Sequence, residues 1–324
     1  MAEYKSIKGF KVQSLASDPT LVEGQVWYNT TGDVLKYQSM AAGAWATGGA
    51  INTARYGCAG AGITPAGLIF GATTETEKYN GTAWTEVNDL NQARHNPAGI
   101  GTQTAALCVG GEPAPTDAYN EEYNGTSWTE VGDLNEGRTL LGSCGITTAA
   151  LVAGGGDSPS GNDAETEIYN GTSWTEVNDL NTARGGLMGA PEGTTTAAIV
   201  FGGRTTSVAA TNTGATEEYN GTSWTEVGDL NQGRYSMGAG GDQTSAVAAG
   251  GAFSGPTQSL VEQWDGTSWT EVANLAVSRY RPGSGGSGSD MFVAGGYGCC
   301  SPAGTVDSTE EWTRDLTVKT VTVT

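Results

Sequence analysis

Six arginines and six glutamates recur along the chain at near-fixed spacing. They are Arg55, Arg94, Arg138, Arg184, Arg234 and Arg279, with Glu77, Glu121, Glu167, Glu217, Glu262 and Glu310. A guanidinium facing a carboxylate can serve a charged active site, or it can form a fixed planar pair. A group copied into every repeat favours the second role, because catalysis needs asymmetry around one substrate. These twelve residues are therefore read as structural. The remaining candidates for chemistry are few. His95 is the only histidine, which excludes His-based triads and multi-His metal sites within one chain. Asp89, Asp133, Asp179 and Asp229 recur once per repeat, but no Asp-x-Asp-x-Asp-Gly loop surrounds them. They suit local turns better than calcium. Cys58, Cys108 and Cys144 sit in apolar runs and read as small buried hydrophobes. The adjacent Cys299 and Cys300 stand for a strained disulfide, a metal site shared with another chain, or two free thiols. No Gly-x-Ser-x-Gly, P-loop or His-Glu-x-x-His motif is present. The expectation is a protein with no catalytic residue, no metal and no cofactor.

Composition narrows the partners. The 324 residues carry 35 Asp+Glu against 15 Lys+Arg, a net charge of −20. Such a chain repels phosphate, so neither nucleic acid nor an anionic membrane is an expected partner. No run approaches the ~18 apolar residues of a spanning helix, and the first residues lack an apolar core of signal-peptide length. With 37% hydrophobic residues, nine Trp and twelve Tyr, the chain can build a core.

The elements that must position the charged residues repeat as well. Tyr-Asn-Gly-Thr-Ser-Trp-Thr-Glu-Val recurs almost verbatim, with its Trp at 84, 128, 174, 224 and 269. An Arg follows each Trp by ten residues, and Trp45 stands ten before Arg55. A diglycine or close equivalent lies 16 residues beyond five of the Arg and 18 beyond Arg184. Each Glu precedes an aromatic by two: Tyr79, Tyr123, Tyr169, Tyr219, Trp264 and Trp312. β-branched residues, Gly and turn signals dominate, so each repeat reads as four short strands. Strand a starts near the Arg, b ends on the diglycine, c carries Glu-x-Tyr, and d carries Trp-Thr-Glu-Val. Asn-Gly between c and d predicts a type I′ hairpin with both central residues at positive φ. The formal glycosylation sequons at Asn80, Asn124, Asn170 and Asn220 coincide with these turns and are read as unmodified. The repeated Trp and Tyr are read as packing between repeats.

The strand-a Arg, the diglycine, Glu-x-Tyr and the Trp five residues beyond the Tyr together resemble the Kelch repeat, over residues 45–314. The resemblance implies four-stranded blades arranged as a β-propeller. Six copies imply an all-β, six-bladed Kelch-like propeller. The last repeat lacks its own strand d, and the orphan segment around Trp45 is predicted to supply it beside Trp312, closing the ring from the N-terminal side. Some Kelch-type propellers are copper-radical oxidases. That chemistry needs His and Tyr ligands, which the single His95 does not supply.

The repeats differ in their b–c connections, which hold 4, 9, 11, 13, 10 and 13 residues in turn. In a four-stranded blade these loops and the d–a connections project from one face. Variable loops on a rigid scaffold are where binding concentrates. Tyr119, Asn120, Asp157, Asn162, Arg204, Asn212, Phe253 and Tyr297 are the candidate ligand-binding residues. The other reading of the same loops is neutral drift.

The ends stand apart from the repeat. Residues 1–40 form an arm and a hairpin, residues 41–314 the propeller, and residues 315–324 a β tail. Lys5, Lys8 and Lys11 make residues 1–11 basic. A strand over 25–29, a Thr-Thr-Gly-Asp turn and a strand over 34–37 form the hairpin. The tail alternates like an added strand, pairing with that hairpin or with another subunit. Trp27-Tyr28-Asn29 followed by Leu35-Lys36-Tyr37, within 23–37, resembles a segment near the N-termini of tailed-bacteriophage fibre and virion-surface proteins. The resemblance implies a non-enzymatic virion structural protein, made in the host cytoplasm and present in multiple copies: a fibre, tail, neck or capsid-decorating component. Its N-terminal arm would bind other virion proteins, and its propeller face a neighbouring virion protein or a host-surface glycan or protein. A cellular Kelch scaffold or glycan-binding lectin is the alternative, and a glycan-degrading enzyme the third reading.

Overall fold

The structure, a computed structural model, describes residues 12–20, 25–113, 116–157, 161–205, 211–253, 257–298 and 304–321. The basic arm with Lys5, Lys8 and Lys11, and the Cys299-Cys300 pair, lie outside the described residues. The chain divides into two compact units: Met1–Ala44 with Arg314–Thr324, and Trp45–Thr313.

The larger unit is built from four-stranded sheets in a propeller-like arrangement. The first contains Cys58–Ile63, Ala66–Gly71, Thr76–Tyr79 and Trp84–Val87, in that order. The second contains Ala98–Thr102, Ala105–Val109, Asn120–Tyr123 and Trp128–Val131. Gly142–Ile146, Ala149–Asp157, Gly161–Tyr169 and Trp174–Val177 form the third. The fourth is Met188–Gly189, Ala198–Phe201, Thr216–Tyr219 and Trp224–Glu226. The fifth is Gly238–Gly241, Ala246–Ala249, Val261–Trp264 and Trp269–Glu271. The sixth begins with Gly283–Gly286, Asp290–Ala294 and Thr309–Thr313, and its fourth strand is Ala44–Thr47, from the other end of the sequence. A two-stranded ribbon, Tyr297–Gly298 with Gly304–Thr305, extends from the sixth. No α-helix occurs among the described residues; Thr116–Ala118 is a single 3-10 turn.

The first strand of each sheet lies against the first strand of the next, and Gly283–Gly286 lies against Cys58–Ile63. This explains their composition. A Cβ on Gly60 would meet Ser284 backbone at 2.5 Å, and one on Gly99 would meet the Gly60 carbonyl at 2.2 Å. Only a hydrogen side chain lets these backbones approach so closely. Much of the chain's glycine is therefore spent in the innermost strands as well as in its turns.

The core is distributed rather than central. One apolar cluster fills each junction between consecutive sheets. Between the first and second, Leu68 and Phe70 pack with Cys108, Tyr123 and Trp128. The last junction joins Phe292 and Ala294 to Ile69, Tyr79 and Trp84. The repeated indoles also bond across these junctions. Trp128 Nε1 donates to Thr76 Oγ1 at 3.0 Å, and Trp84 Nε1 to Thr309 Oγ1 at 2.9 Å, linking the first sheet to the sixth.

The c–d turns differ from the predicted type I′. Only the glycine has positive φ, as at Gly81 (86°) and Gly125 (92°). The Asn80 Oδ1 accepts from the Thr82 and Ala83 N–H groups at 3.0 and 2.9 Å. The asparagine thus caps the turn with its side chain, and the positive φ falls on the glycine alone.

The smaller unit is one four-stranded sheet, ordered Gln13–Leu15, Val26–Asn29, Val34–Met40, Leu316–Thr320. The hairpin strands pair antiparallel, Gln13–Leu15 joins in parallel, and Leu316–Thr320 pairs with Val34–Met40. Of the two partners the sequence offered for the tail, the hairpin is therefore the one it takes. An alternating tail presents an edge strand's unpaired N–H and C=O groups, and Val34–Met40 satisfies one row of them.

Removing residues 1–47 would strip the sixth sheet of its fourth strand and uncover Trp312, which is fully buried and 5.3 Å from Trp45. Loss of this packing is expected to cost ~3–5 kcal/mol, or about 10 °C in melting temperature. Removing only residues 1–40 leaves that strand in place and is expected to spare the larger unit, as thermal melts followed by Trp fluorescence would show.

Candidate functional site

The repeated charges come first, because they decide which groups remain free. Each framework Arg meets the Glu of its own repeat. Arg55–Glu77, Arg94–Glu121, Arg184–Glu217 and Arg279–Glu310 have N–O distances of 2.8 to 3.0 Å. Arg138–Glu167 and Arg234–Glu262 pair as well. All twelve side chains are buried. The second carboxylate oxygen is also occupied. Glu121 Oε2 accepts from Asn91 N and Nδ2 at 2.8 and 2.7 Å. Asn52, Asn135, Asn181 and Asn231 treat Glu77, Glu167, Glu217 and Glu262 in the same way. In the last repeat the Ala276 and Val277 N–H groups replace the asparagine. The same Asn Nδ2 reaches a strand-d carbonyl, Trp128 O in the case of Asn91. These asparagines were not singled out from the sequence. Their signal was recurrence three residues before Arg55, Arg94, Arg138, Arg184 and Arg234.

Two further backbone circuits run around the larger unit. In one, the second residue of each diglycine donates to the carbonyl of the next sheet's Arg, from Ala72 N to Arg94 O (2.7 Å) round to Gly296 N to Arg55 O (2.8 Å). In the other, the residue two beyond each Arg donates to its counterpart in the preceding sheet. Asn96 bonds to Gly57, Leu140 to Asn96, Gly186 to Leu140, Ser236 to Gly186, Arg281 to Ser236 and Gly57 to Arg281, at 2.7 to 3.1 Å. All six residues of this second circuit have φ between 52° and 69°. Asn96, Leu140, Ser236 and Arg281 hold that left-handed conformation without being glycine, a cost tolerated only where the surroundings fix it. The six residues line a cavity of about 80 Å³.

Asymmetry begins at the position just after each framework Arg. It is occupied by Tyr56, His95, Thr139, Gly185, Tyr235 and Tyr280. The aromatic members fall on the fifth, sixth, first and second sheets, and the small ones on the third and fourth. Tyr56 stands 5.9 Å from His95, 6.5 Å from Tyr280 and 5.4 Å from Tyr297, between ring centroids. Tyr280 lies 6.4 Å from Tyr235 and 5.7 Å from Tyr297. The Arg204 guanidinium lies 3.5 Å over the Tyr235 ring, and Arg281 sits 5.5 Å from the Tyr280 ring. Burial pushes the Tyr280 phenol's pKa up, against the lowering effect of Arg281. The rings are half-buried, so faces and edges remain open to solvent.

The loop candidates divide accordingly. Tyr297 belongs to the aromatic cluster. Asn162 Nδ2 donates to the Arg204 carbonyl at 2.6 Å, and Asn212 bridges to Arg204 along the backbone. Phe253 is exposed at 40%. Tyr119 lends its carbonyl to Arg94, so its backbone belongs to the frame. Asn120 is a correction: it is fully buried, its Nδ2 donates to Gly132 O at 2.8 Å, and its Oδ1 accepts from Gly110 N. It opens strand Asn120–Tyr123, and both its amide oxygen and its amide nitrogen are taken up inside the protein. The Asp157 side chain lies outside the described residues. Asp89, Asp133, Asp179 and Asp229 are exposed on the d–a connections, and no metal-binding group of His, Cys, Asp or Glu occurs among the described residues. The d–a and b–c segments do meet: Leu90 N donates to Thr74 O and Leu134 N to Ala118 O. The loops, the Asp residues and the tyrosine cluster thus share one side of the larger unit.

Cys58, Cys108 and Cys144 are buried thiols; burial raises the Cys108 pKa to about 11 and that of Cys144 to about 12. They offer no thiolate nucleophile.

No protein-family model matches this chain, and no curated protein does. Among solved structures, it is similar to the structure of YjhT, with a TM-score of 0.67 and 14% sequence identity. The match covers 84% of this chain and 99% of that one. At that identity the likeness shows the fold alone, and the fold is β-propeller-like.

Two outcomes follow. Arg138→Met leaves Glu167 buried without its guanidinium and is expected to cost ~3–5 kcal/mol in denaturant unfolding, with Arg138→Met/Glu167→Leu recovering part of the loss. Stability should also fall at high pH. The Tyr79 hydroxyl is 1% exposed with its residue and donates to Glu311; burial first, and that bond second, push its pKa to about 12. Burial also raises Tyr169 and Tyr219. Folding therefore favours the neutral phenols. Their contribution is complete below the unfolded value of ~10 and is lost as pH rises from there to about 12. The urea midpoint should be flat with respect to these groups up to about pH 10 and then drop, less steeply in Tyr79→Phe.

Proposed function

We propose that this chain is a six-bladed Kelch-like β-propeller that works by binding rather than catalysis, as a structural component of a tailed-phage virion. The observation that carries the reading is the asymmetric tyrosine–arginine cluster set on a repeated frame. The frame's twelve charges neutralise one another in the interior. What differs from repeat to repeat is ring surface and guanidinium on the loop side, which suits recognition. The small unit built from both chain ends suits attachment. Its Val26–Asn29 and Val34–Met40 hairpin carries the Trp-Tyr-Asn and Leu-Lys-Tyr residues that resemble the virion-protein segment.

In this reading the terminal unit holds the chain to other virion proteins, and the propeller meets the surface ligand. The test is incorporation. Full-length chain and a variant lacking residues 1–40 would be supplied during infection, and purified particles probed by immunoblot. The full chain is expected on the particle and the shortened one in the unbound fraction, still folded. Absence of the full chain from every particle fraction would overturn the virion reading in favour of a cellular scaffold or lectin. Steady turnover of polysaccharide by the purified chain would overturn the non-enzymatic one.

A further inference from the structure

The arginines of this chain divide into those already used and those left over. There are nine. Six are held by framework carboxylates. Arg314, in the terminal unit, donates to the Ala41 carbonyl. The other two, Arg204 and Arg281, make no ion pair among the described residues. Both stand against tyrosines of one cluster, Arg204 on Tyr235 and Arg281 by Tyr280. In a chain of net charge −20, this is a local reversal of sign that draws anions.

A second observation lies just beneath. Asn96 and Ser236 line the 80 Å³ cavity and are 5% and 3% exposed. Asn96 Nδ2 donates to Glu112 Oε1 at 2.6 Å, which fixes the amide's orientation and leaves Oδ1 with no donor. Ser236 Oγ also lacks a partner. Buried polar atoms left this way are destabilising until a partner satisfies them. Asn96 Oδ1 can only accept, so what completes it must bring a hydroxyl or N–H. The cavity admits a handful of water-sized groups, at ~10–15 Å³ each, and no polypeptide segment.

We propose that this rim binds an acidic sugar, a saccharide unit carrying a carboxylate or sulfate. The anion pairs with Arg204 and Arg281, the apolar face of the sugar ring lies on the tyrosines, and hydroxyls on a short arm reach Asn96 Oδ1 and Ser236 Oγ. Each element of the site asks for one property of that ligand: negative charge, a C–H face and hydroxyl donors. An acidic peptide brings the charge and N–H donors, but its backbone is too bulky to carry those donors into the 80 Å³ cavity. Glu112, exposed beside Asn96, repels the anion from that side and leaves the arginines as its place. The proposal rests on reading the loop side as the binding surface and gives that surface its ligand class.

The experiment is calorimetric titration of the full chain with four probes: an oligogalacturonate, a heparin-derived octasaccharide, neutral maltoheptaose and poly-L-glutamate. At least one of the two acidic saccharides is expected to bind at least tenfold more tightly than the neutral sugar and the peptide, and more weakly as salt rises. Arg204→Met and Arg281→Met should each lower that affinity at least tenfold with an unchanged melting temperature, and Ser236→Ala should lower it several-fold. If Arg281→Met melts early, Arg204→Met decides. Binding of neither acidic saccharide overturns the proposal, as does equal binding of maltoheptaose or unaltered affinity in Arg204→Met. Tight binding of poly-L-glutamate reassigns the rim to acidic peptides. None of these outcomes depends on particle incorporation, so the ligand class and the virion reading stand or fall separately.

Discussion

The buried carboxylate is the group on which the rest of the larger unit depends. Each framework Glu carries a negative charge into the interior, which is tolerated only when that charge is paired and its lone pairs are occupied. The Arg of the same repeat takes one oxygen. The Asn of the incoming connection takes the other, through both backbone and side-chain N–H. One carboxylate thereby fixes where the chain enters a sheet and how the preceding connection docks on it. Ion pairs of this kind add little net stability over a well-packed apolar replacement, but half of one is severely destabilising.

With the outer parts fixed in this way, the inner strands can be almost bare backbone. Cys58–Ile63, Ala98–Thr102 and Gly283–Gly286 approach their neighbours at distances a methyl group would forbid. The apolar packing has moved outward to the junctions, where indoles such as Trp84 and Trp128 close each interface. The backbone circuits through the diglycines and the left-handed residues complete the frame. Four side chains in that left-handed circuit, Asn96, Leu140, Ser236 and Arg281, are thereby directed at one small cavity. The frame is regular, and the loop side it carries is not.

Much of this architecture was legible in advance. The recurrence of Arg, diglycine, Glu-x-Tyr and Trp marks four strands per repeat, and the orphan Trp45 identifies Ala44–Thr47 as a strand whose partner lies elsewhere. The candidate site was only partly legible. Arg204 and Tyr297 were found through loop variability. Asn120 was misassigned because a loop defined by residue counting reaches to the residue before Glu121, whereas the strand begins one residue earlier. Tyr56, Tyr235 and Tyr280 were passed over although they occupy one column of the repeat with His95. The signal lay in how that column changes, and residues flanking a conserved-looking landmark are easily absorbed into the landmark.

By itself the sequence determined the repeat, the strand order within it and the structural role of its charges, because these are written in fixed spacing; that each Arg meets the Glu of its own repeat was settled by the structure. Only the tertiary structure decided which residues share the loop side and the cavity. Tyr56 and Tyr297 are brought within 5.4 Å by packing of the first sheet against the sixth, and the tail takes the hairpin rather than another subunit as its partner. Contacts of that range depend on how successive near-identical interfaces add up. Spacing along the chain carries the local geometry of each interface, but the meeting of its ends appears only when all of them are assembled.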